Sequence, residues 1–323
     1  MNRLRTGMAV GRMLGSVIEQ TATADVRCHC GVCSMKAPYI RRTKMNSSAM
    51  RSGSYFETVS SHWGQCEPVV VELANNRLNF SLDDEVLDVG CGPGVFCREV
   101  APKVKSVTGL DAWPEMIELA RKNSSASNID FVVGDAHTFG SSFPSWAGRF
   151  DKITSLFVLQ WCRNQKLVLE NIFRCLKPGG ALLLGVNLQS QLFSNCCSYG
   201  ETCDSWLRRH PRWGAYLVGY VRERKDWEKK TDFLNMFRSV GFTVLHTDLV
   251  MTSDRNWSAY YAKVQIRTLL GHLEFIPDEL RENCIDDVCR WLYDVTPKNS
   301  DGKLVAPLGM EESIVVVATK VNE

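Results

Sequence analysis

The amino-acid sequence predicts an α/β protein with a seven-stranded, mostly parallel sheet and helices on both faces. Two observations lead to this class. From Asp84 onwards, short β-branched or apolar runs alternate with stretches of helical periodicity, and several of the runs end at a glycine or an aspartate. Strands that alternate with helices are joined by crossover connections, which make the strands parallel and cover both faces of the sheet.

The first three strands and their helices follow this rule closely. The loop after the first strand is rich in glycine, and the helices that follow show apolar residues at helical spacing. The predicted elements are a strand at Glu85–Val89, a helix at Val95–Val104, a strand at Ser106–Asp111, a helix at Met116–Lys122 and a strand at Ile129–Gly134.

The second half of the predicted sheet needs four more strands. An amphipathic helix precedes the fifth strand, and we expect Pro178-Gly179-Gly180 to end it; Gly241 closes a later helix in the same way. The elements are strands at Lys152–Leu159, Ala181–Val186, Thr243–Val250 and Ser313–Val321, with helices at Leu167–Leu176 and Phe233–Val240.

Two stretches at about 189–230 and 255–307 break the alternation and are rich in aromatic residues. In doubly wound folds, insertions of this kind often lie over the carboxyl ends of the strands, where ligands bind. We therefore expect helical lid insertions that supply apolar side chains to a substrate pocket.

The composition is typical of a globular protein whose cysteines remain reduced. The chain has 323 residues, 45% of them hydrophobic, which is enough for one large core. A formal net charge of +2 gives no reason to expect a nucleic-acid partner, and no run reaches the roughly 18 apolar residues of a membrane span. The 13 cysteines lie mostly in apolar stretches, and no secretory signal precedes them, so we expect free thiols and a cytoplasmic location.

Residues 1–48 are expected to form a basic, disordered tail ahead of one domain at 49–323. Arginine and lysine far outnumber the two acids of this tail, Glu19 and Asp25. Such a start resembles a mitochondrial presequence, with an untargeted extension as the alternative. The cluster Cys28-His29-Cys30 with Cys33 offers metal ligands, but no second Cys-x-x-Cys completes a tetrahedral site, so no metal is expected.

The glycine-rich loop is the first functional candidate. Gly90, Gly92 and Gly94 follow Asp88 between the first strand and the first helix, where glycine lets a ligand approach the backbone beside helix amide donors. The spacing G-x-G-x-G differs from the dinucleotide fingerprint G-x-G-x-x-G, which argues against a nicotinamide cofactor. A glycine triplet alone is equally explained by a tight turn.

Two acids at the ends of the next strands indicate what kind of ligand the loop could bind. Asp111 closes the second strand about twenty residues downstream, from where a carboxylate can accept both hydroxyl hydrogens of a ribose. Asp135 closes the third strand, within reach of an adenine amino group. Either acid alone could equally be a solvated strand end or a helix cap.

Together these motifs resemble those of class I S-adenosylmethionine-dependent methyltransferases, which have a Rossmann-like fold. The resemblance is carried by Val86 to Gly94, Gly109-Leu110-Asp111, Gly134-Asp135-Ala136 and Leu176-Lys177-Pro178-Gly179-Gly180. It implies that Asp88 orients the loop, that the glycines face the methionine moiety, that Asp111 holds the ribose, and that Asp135 and Ala136 hold the adenine. Further implied cofactor contacts are Cys91, Ala112, Trp113, which could stack on the adenine or belong to the core, and Leu156.

The end of the fourth strand bears on the methyl acceptor. Residues 154–162 contain no aspartate, histidine or lysine, the side chains expected if a weakly acidic alcohol had to be deprotonated. A carboxylic acid is already ionised at neutral pH and needs no general base. This absence favours a carboxylate acceptor.

Leu159-Gln160-Trp161, the early segment from Tyr55 to Gln65 and the aromatic insertions resemble arthropod juvenile hormone acid methyltransferases. The resemblance implies esterification of a small lipophilic acid such as farnesoic acid or a juvenile hormone acid, with Gln65 and Trp161 holding its carboxylate. This chain departs from the pattern in its long tail, in the later position of Gln65 and in having Gln160 where histidine is common.

Two alternatives stay open. One is a methyltransferase for another small acid or an amine, which would differ only in its pocket. The other is a protein that binds the cofactor but serves as a regulator without turnover. The sequence gives no oligomeric state.

Overall fold

The computed structural model describes residues 72–189, 201–220, 229–251, 270–296 and 312–321, together with 263, 266, 267 and 300. The expected tail at 1–48, its cysteine cluster and the segment from Tyr55 to Gln65 lie outside this range. So do parts of both expected insertions.

Among the described residues, seven strands and eight continuous helices can be given bounds, and most begin within a few residues of their predicted positions. The strands are β1 (Glu85–Val89), β2 (Ser106–Asp111), β3 (Ile129–Val133), β4 (Phe150–Leu156), β5 (Leu176–Gln189), β6 (Phe242–Met251) and β7 (Glu312–Lys320). The helices are α1 (72–78), α2 (Val95–Val100), α3 (Pro114–Lys122), α4 (Phe139–Ser142), α5 (Gln165–Cys175), α6 (Cys203–Arg209), α7 (Lys230–Val240) and α8 (Arg281–Val295).

The strands form one sheet in the order β3-β2-β1-β4-β5-β7-β6. Strands β1 to β5 pair in parallel, whereas β7 is antiparallel to both β5 and β6. This confirms the predicted seven-stranded, mostly parallel sheet. The strand order reverses between β1 and β4, and in open α/β sheets the crevice outside such a reversal is where ligands bind.

Apolar side chains project from both faces of the sheet and pack against the helices. Along β5, Leu182 and Leu184 join the core on one face, where α5 and α7 pack, while Leu183 between them joins the core on the other face with α2 and α3. Alternate residues of a strand point to opposite faces, so a strand buried on both sides reads as a continuous apolar run. The helices therefore cover both faces, as predicted.

The predicted start of β5 at Ala181 and the predicted end of β4 at Leu159 are wrong. Helix α5 ends at Cys175, within one residue of its predicted end, and β5 begins at once because Leu176 already pairs with Phe150 of β4. The next pairing joins Lys152 to Ala181, so residues 177–180 form a bulge within β5. Strand β4 also ends three residues early, at Leu156.

The described parts of the two insertions pack against each other. Cys203, Leu207 and Trp213 of the first share a hydrophobic core with residues of α8 in the second. A polar contact also joins them, since fully buried His272 lies 2.7 Å, Nε2 to Oδ1, from Asp204 of α6. That hydrogen bond lowers the pKa of Asp204 to about 2. The described parts of the two insertions therefore form one helical unit with its own core.

Candidate functional site

The glycine loop lies at the carboxyl end of β1 and folds over the end of β2. The amides of Gly90 and Cys91 both donate to the carbonyl of Leu110, at 2.7 and 2.9 Å. Gly94 caps the amino end of α2 with φ of 74°. Positive φ is costly for residues with a Cβ, which explains why glycine stands at the corners of this loop.

The three glycines have different surroundings. A Cβ on Gly90 would overlap Val158, and one on Gly94 would lie 2.7 Å from the ring of Phe131. A Cβ on Gly92 would meet no atom within 4 Å, so open space lies beside this residue. The backbone of Gly92 is therefore where a ligand can approach the loop.

Asp111, at the end of β2, holds this open part of the loop. Its Oδ2 accepts the amide of Gly92 at 2.9 Å, and its Oδ1 accepts the amide of Trp113 at 2.9 Å. Burial raises the pKa of Asp111, with the backbone hydrogen bonds opposing the shift. Each carboxylate oxygen has a second lone pair, so these bonds leave capacity for two ligand hydroxyls. The loop-holding role was not predicted from the sequence.

Asp88 occupies the centre of the sheet, in register with Gly109 on one side and Thr154 on the other. Its Oδ1 accepts the Thr154 hydroxyl at 2.8 Å, and its Oδ2 accepts the Cys97 thiol at 3.5 Å. The side chain is buried, and burial raises its pKa to about 6. Asp88 thus joins β1, β4 and α2 beneath the loop.

Asp135 follows β3, and its carboxylate is 58% exposed. Its Oδ1 accepts both the backbone amide and Nδ1 of His137, each at 2.8 Å. The carbonyl of partly buried Ala136 accepts from Asn171 of α5 at 3.2 Å. The sequence does not identify His137, since a histidine two residues after an acid is no signal by itself.

The turn after β4 lies at the same reversal of strand order as the glycine loop, but it follows β4 instead of β1. Phe157 has φ of 58°, an unusual conformation for a residue with a large side chain, and such strain often marks functional turns. The turn continues into a single helical turn at Leu159–Trp161, on which Trp161 is partly buried. Leu156, just before the turn, packs in the core.

Gln160 is buried on this turn, at 2% exposure, and among the residues that the structure describes its Oε1 meets no hydrogen-bond donor. A buried amide oxygen without a partner is unfavourable unless water or a ligand supplies the donor. Gln65, the predicted partner of Trp161, lies outside the described residues.

Other site types receive no support in the described part of the chain. No cluster of three or more histidine, cysteine or acidic residues there is arranged to hold a metal ion. Cys91 and Cys97 carry free thiols, and the hydrogen bond with Cys91 together with burial raises the pKa of Cys97 well above its usual value. None of the described helices has the length and apolar character needed to cross a membrane.

Comparison with known sequences identifies the kind of domain. The family model for a methyltransferase domain matches residues 87–184, from β1 into β5. The chain is 30% identical over 191 residues to the ubiquinone biosynthesis O-methyltransferase of Erwinia tasmaniensis, covering 54% of this chain and 76% of that protein. It is 33% identical over 100 residues to the malonyl-[acyl-carrier protein] O-methyltransferase of Serratia marcescens, covering 31% of this chain but only 37% of that protein.

Solved structures share the fold at low sequence identity. A methyltransferase partner of the Trm112 activator from Haloferax volcanii superposes with a TM-score of 0.52 at 20% identity, over 88% of this chain and all of that one. The [4+2]-cyclase SpnF gives 0.52 at 18% identity, over 81% of this chain and 84% of that one. These likenesses concern the fold alone.

The residues present fit the cofactor that these findings indicate, S-adenosylmethionine. The open space beside Gly92 gives the ligand access to the loop backbone, and the Asp111 carboxylate lies directly beside it with capacity for two hydroxyls. Asp135 offers a held but exposed carboxylate at the end of β3. With its sheet order, its glycine loop and its similarity to the Erwinia protein, the chain belongs to the class I S-adenosylmethionine-dependent methyltransferase family.

Proposed function

We propose that this protein transfers a methyl group from S-adenosylmethionine to a carboxylate oxygen of a small lipophilic acid, of the farnesoic acid or juvenile hormone acid type. The products would be a methyl ester and S-adenosylhomocysteine. S-adenosylmethionine supplies the electrophilic methyl group on its sulfonium. The residues of the chain would bind, orient and enclose the two reactants.

The observation that carries this proposal is the chemistry of the turn after β4. Between Thr154 and Cys162 the chain has no aspartate, glutamate, histidine or lysine. An alcohol or phenol acceptor would need a proton acceptor near the reacting oxygen, whereas a carboxylate is a nucleophile as it stands. A turn that offers an amide and an indole group suits an acceptor that has to be positioned and does not have to be deprotonated.

We assign that positioning to Trp161 and Gln65. Trp161 lies on the short helical turn that follows Phe157. The left-handed backbone of Phe157 therefore helps to determine the position of the Trp161 indole. An indole N–H can donate a hydrogen bond to a carboxylate while its rings contact an apolar tail. For cofactor contacts we propose Asp88, Gly90, Cys91, Gly92, Gly94, Asp111, Ala112, Trp113, Asp135, Ala136 and Leu156.

The helical unit formed by the two insertions supports a lipophilic substrate. Its core is apolar and aromatic, with Trp206 stacked on Trp291 at 5.3 Å between ring centroids. We propose that this unit closes over the acceptor and excludes water, which strengthens the electrostatic interactions inside the site. The domain would then comprise residues 49–323, with the basic residues 1–48 outside it.

The names of two relatives agree with transfer to oxygen. One is named for O-methylation in ubiquinone biosynthesis and the other for O-methylation of malonyl-[acyl-carrier protein]. A malonyl group carries a free carboxylate, so an acid acceptor has a precedent among the relatives. These names support the reaction type and leave the individual acid to experiment.

The decisive experiment offers the protein S-adenosylmethionine labelled in its methyl group. The acceptors are farnesoic acid, a saturated fatty acid, a malonyl thioester, a catechol and a primary amine. A methyl ester loses its label as methanol in alkali, whereas a methyl ether or a methylamine keeps it. We expect base-labile label with farnesoic acid above all; label that resists alkali would overturn the proposal.

A second candidate, a cofactor-binding protein without methyl transfer, is favoured by one finding. SpnF shares the fold but is named as a [4+2]-cyclase, so this fold can serve other chemistry. Binding of S-adenosylhomocysteine together with no transfer to any of the five acceptors would favour this candidate.

A further inference from the structure

His137 contacts Asp135 in a way that fixes the direction of its carboxylate. The backbone amide and Nδ1 of His137 both donate to the same oxygen, Oδ1, at 2.8 Å each. Two donors on one oxygen define the rotation of the carboxyl group much better than one does. The carboxylate is nevertheless 58% exposed, so it is held in place while still accessible to a ligand.

The other ring nitrogen of His137 has a partner too. Its Nε2 accepts the backbone amide of Asn164 at 3.4 Å. A carboxylate oxygen can only accept a hydrogen bond, so Nδ1 of His137 is the donor to Asp135. Both ring nitrogens of His137 therefore have a partner, and the ring lies between Asp135 and Asn164.

The backbone beneath this ring is fixed to helix α5. Nδ2 of Asn171 donates to the carbonyls of Ala136 and His137, at 3.2 and 2.9 Å. Asn164 caps the same helix by accepting the amide of Leu167 at 3.1 Å. The position of Asp135 thus depends on α5, the helix that directly follows the turn carrying Trp161.

We propose that His137 is a positioning residue that directs Asp135 towards the 6-amino group of the cofactor's adenine and so selects a 6-aminopurine over a 6-oxopurine. This inference rests on the proposed assignment of Asp135 to the adenine. A carboxylate accepts a hydrogen bond from an amino group, but a 6-oxo group presents only an acceptor at that place. The direction of the carboxylate therefore decides whether the 6-aminopurine gains a hydrogen bond, whereas the 6-oxopurine gains none from it.

Calorimetry with two ligands tests the proposal without turnover. The probes are S-adenosylhomocysteine and S-inosylhomocysteine, which differ at the 6-position of the purine. We expect His137→Ala to weaken the first about tenfold, the effect of one lost charge-assisted hydrogen bond, and to leave the second unchanged. His137→Asn, whose side-chain amide can donate in place of Nδ1, should restore most of the loss.

The controls separate this role from a structural one. Ser141→Ala, an exposed change nearby, should bind both ligands as the unaltered protein does. Equal weakening of both ligands by His137→Ala would show a merely structural role, and no weakening of either would show that His137 does not act on the site; each result overturns the inference. If Asp135→Ala leaves S-adenosylhomocysteine binding unchanged, the adenine assignment itself fails, whereas the proposed function is judged separately by ester formation.

Discussion

Asp111 holds the glycine loop through its carboxylate, and cofactor binding by the same group can be tested directly. It holds the amide of Gly92, and we propose that the same carboxylate binds the ribose of the cofactor. We expect Asp111→Ala to weaken S-adenosylhomocysteine binding by about 1 to 3 kcal/mol, because a charge-assisted pair of hydrogen bonds is lost. Calorimetry measures this, with Asp130→Ala, an exposed acid on β3, as the matched control. Equal affinities for the two variants would remove Asp111 from the site.

Asp88 gives a prediction about pH. Burial raises its pKa from 3.8 to about 6, so the folded state holds a proton that the unfolded state releases at lower pH. The stability contributed by Asp88 is therefore present below pH 3.8 and is lost as the pH rises through about 6. Asp88→Asn stays neutral and avoids this loss.

Urea unfolding of both proteins at several pH values checks the sign. The free energy of unfolding of Asp88→Asn relative to the unaltered protein should rise by up to about 3 kcal/mol between about pH 4 and about pH 8. A difference that stays constant with pH, or falls, would contradict the burial of a protonatable Asp88.

Trp161 gives a prediction about turnover. Trp161→Phe keeps an aromatic ring on the turn but removes the indole N–H. We expect a fall of about tenfold or more in kcat on a carboxylic acid, from the loss of one hydrogen bond to a charged group, with cofactor affinity unchanged. Trp146→Phe, in the core, serves as a comparison for general loss of stability. Unchanged kcat would exclude Trp161 from the acceptor site.

The loop between β1 and α2 allows two glycines with opposite surroundings to be compared. Gly90→Ala would place a methyl group on Val158, whereas Gly92→Ala places one in open space. Both also incur the cost of positive φ, about 1 to 2 kcal/mol. We expect Gly90→Ala to lower the free energy of unfolding by a further amount of about 1 to 3 kcal/mol through overpacking.

The opposite ranking should hold for cofactor binding. Gly92→Ala should reduce affinity for S-adenosylhomocysteine most, because its methyl group occupies the space beside the loop. A second change, Val158→Ala, should restore stability to Gly90→Ala but should not restore the affinity of Gly92→Ala. Thermal unfolding and calorimetry on the same samples measure both; rescue that fails would contradict the close approach of Val158 to Gly90.

Local sequence patterns predict the elements that local forces dominate. Strands β1 and β2 were predicted with correct bounds, because each is a short run containing β-branched residues and leucine that ends at the glycine loop or at Asp111. The end of β4 and the start of β5 were not, since the left-handed Phe157 and the pairing of Leu176 with Phe150 depend on distant residues. A local pattern carries no information about such partners.

The same limit applies to the site. The motif predicts that Asp88 and Asp111 belong to one site, but their partners come from elsewhere in the fold. Thr154 is 66 residues from Asp88, and no spacing rule identifies it. His137 was missed for the same reason, because its role depends on Asn164 and Asn171 of another element.

At the scale of the whole molecule, β7 joins the two parts of the sheet. It lies between β5 and β6, and Val315, Val316 and Val317 are all buried. A chain that ends at residue 311 should therefore lose cooperative thermal unfolding, because β5 and β6 have no common partner without it. A chain that ends at residue 321 is the control. Cooperative unfolding of the shorter chain would show that β1 to β5 form a stable sheet alone.

The interior position of β7 also has a consequence for biosynthesis. While the ribosome is still translating the residues before 312, β5 of the nascent chain has one hydrogen-bonding edge without its neighbour, flanked by apolar side chains. Such an edge can pair with another chain and start aggregation. The yield of folded protein in a cell should therefore depend on how quickly synthesis passes from β6 to β7 and on chaperones that cover the nascent edge in that interval.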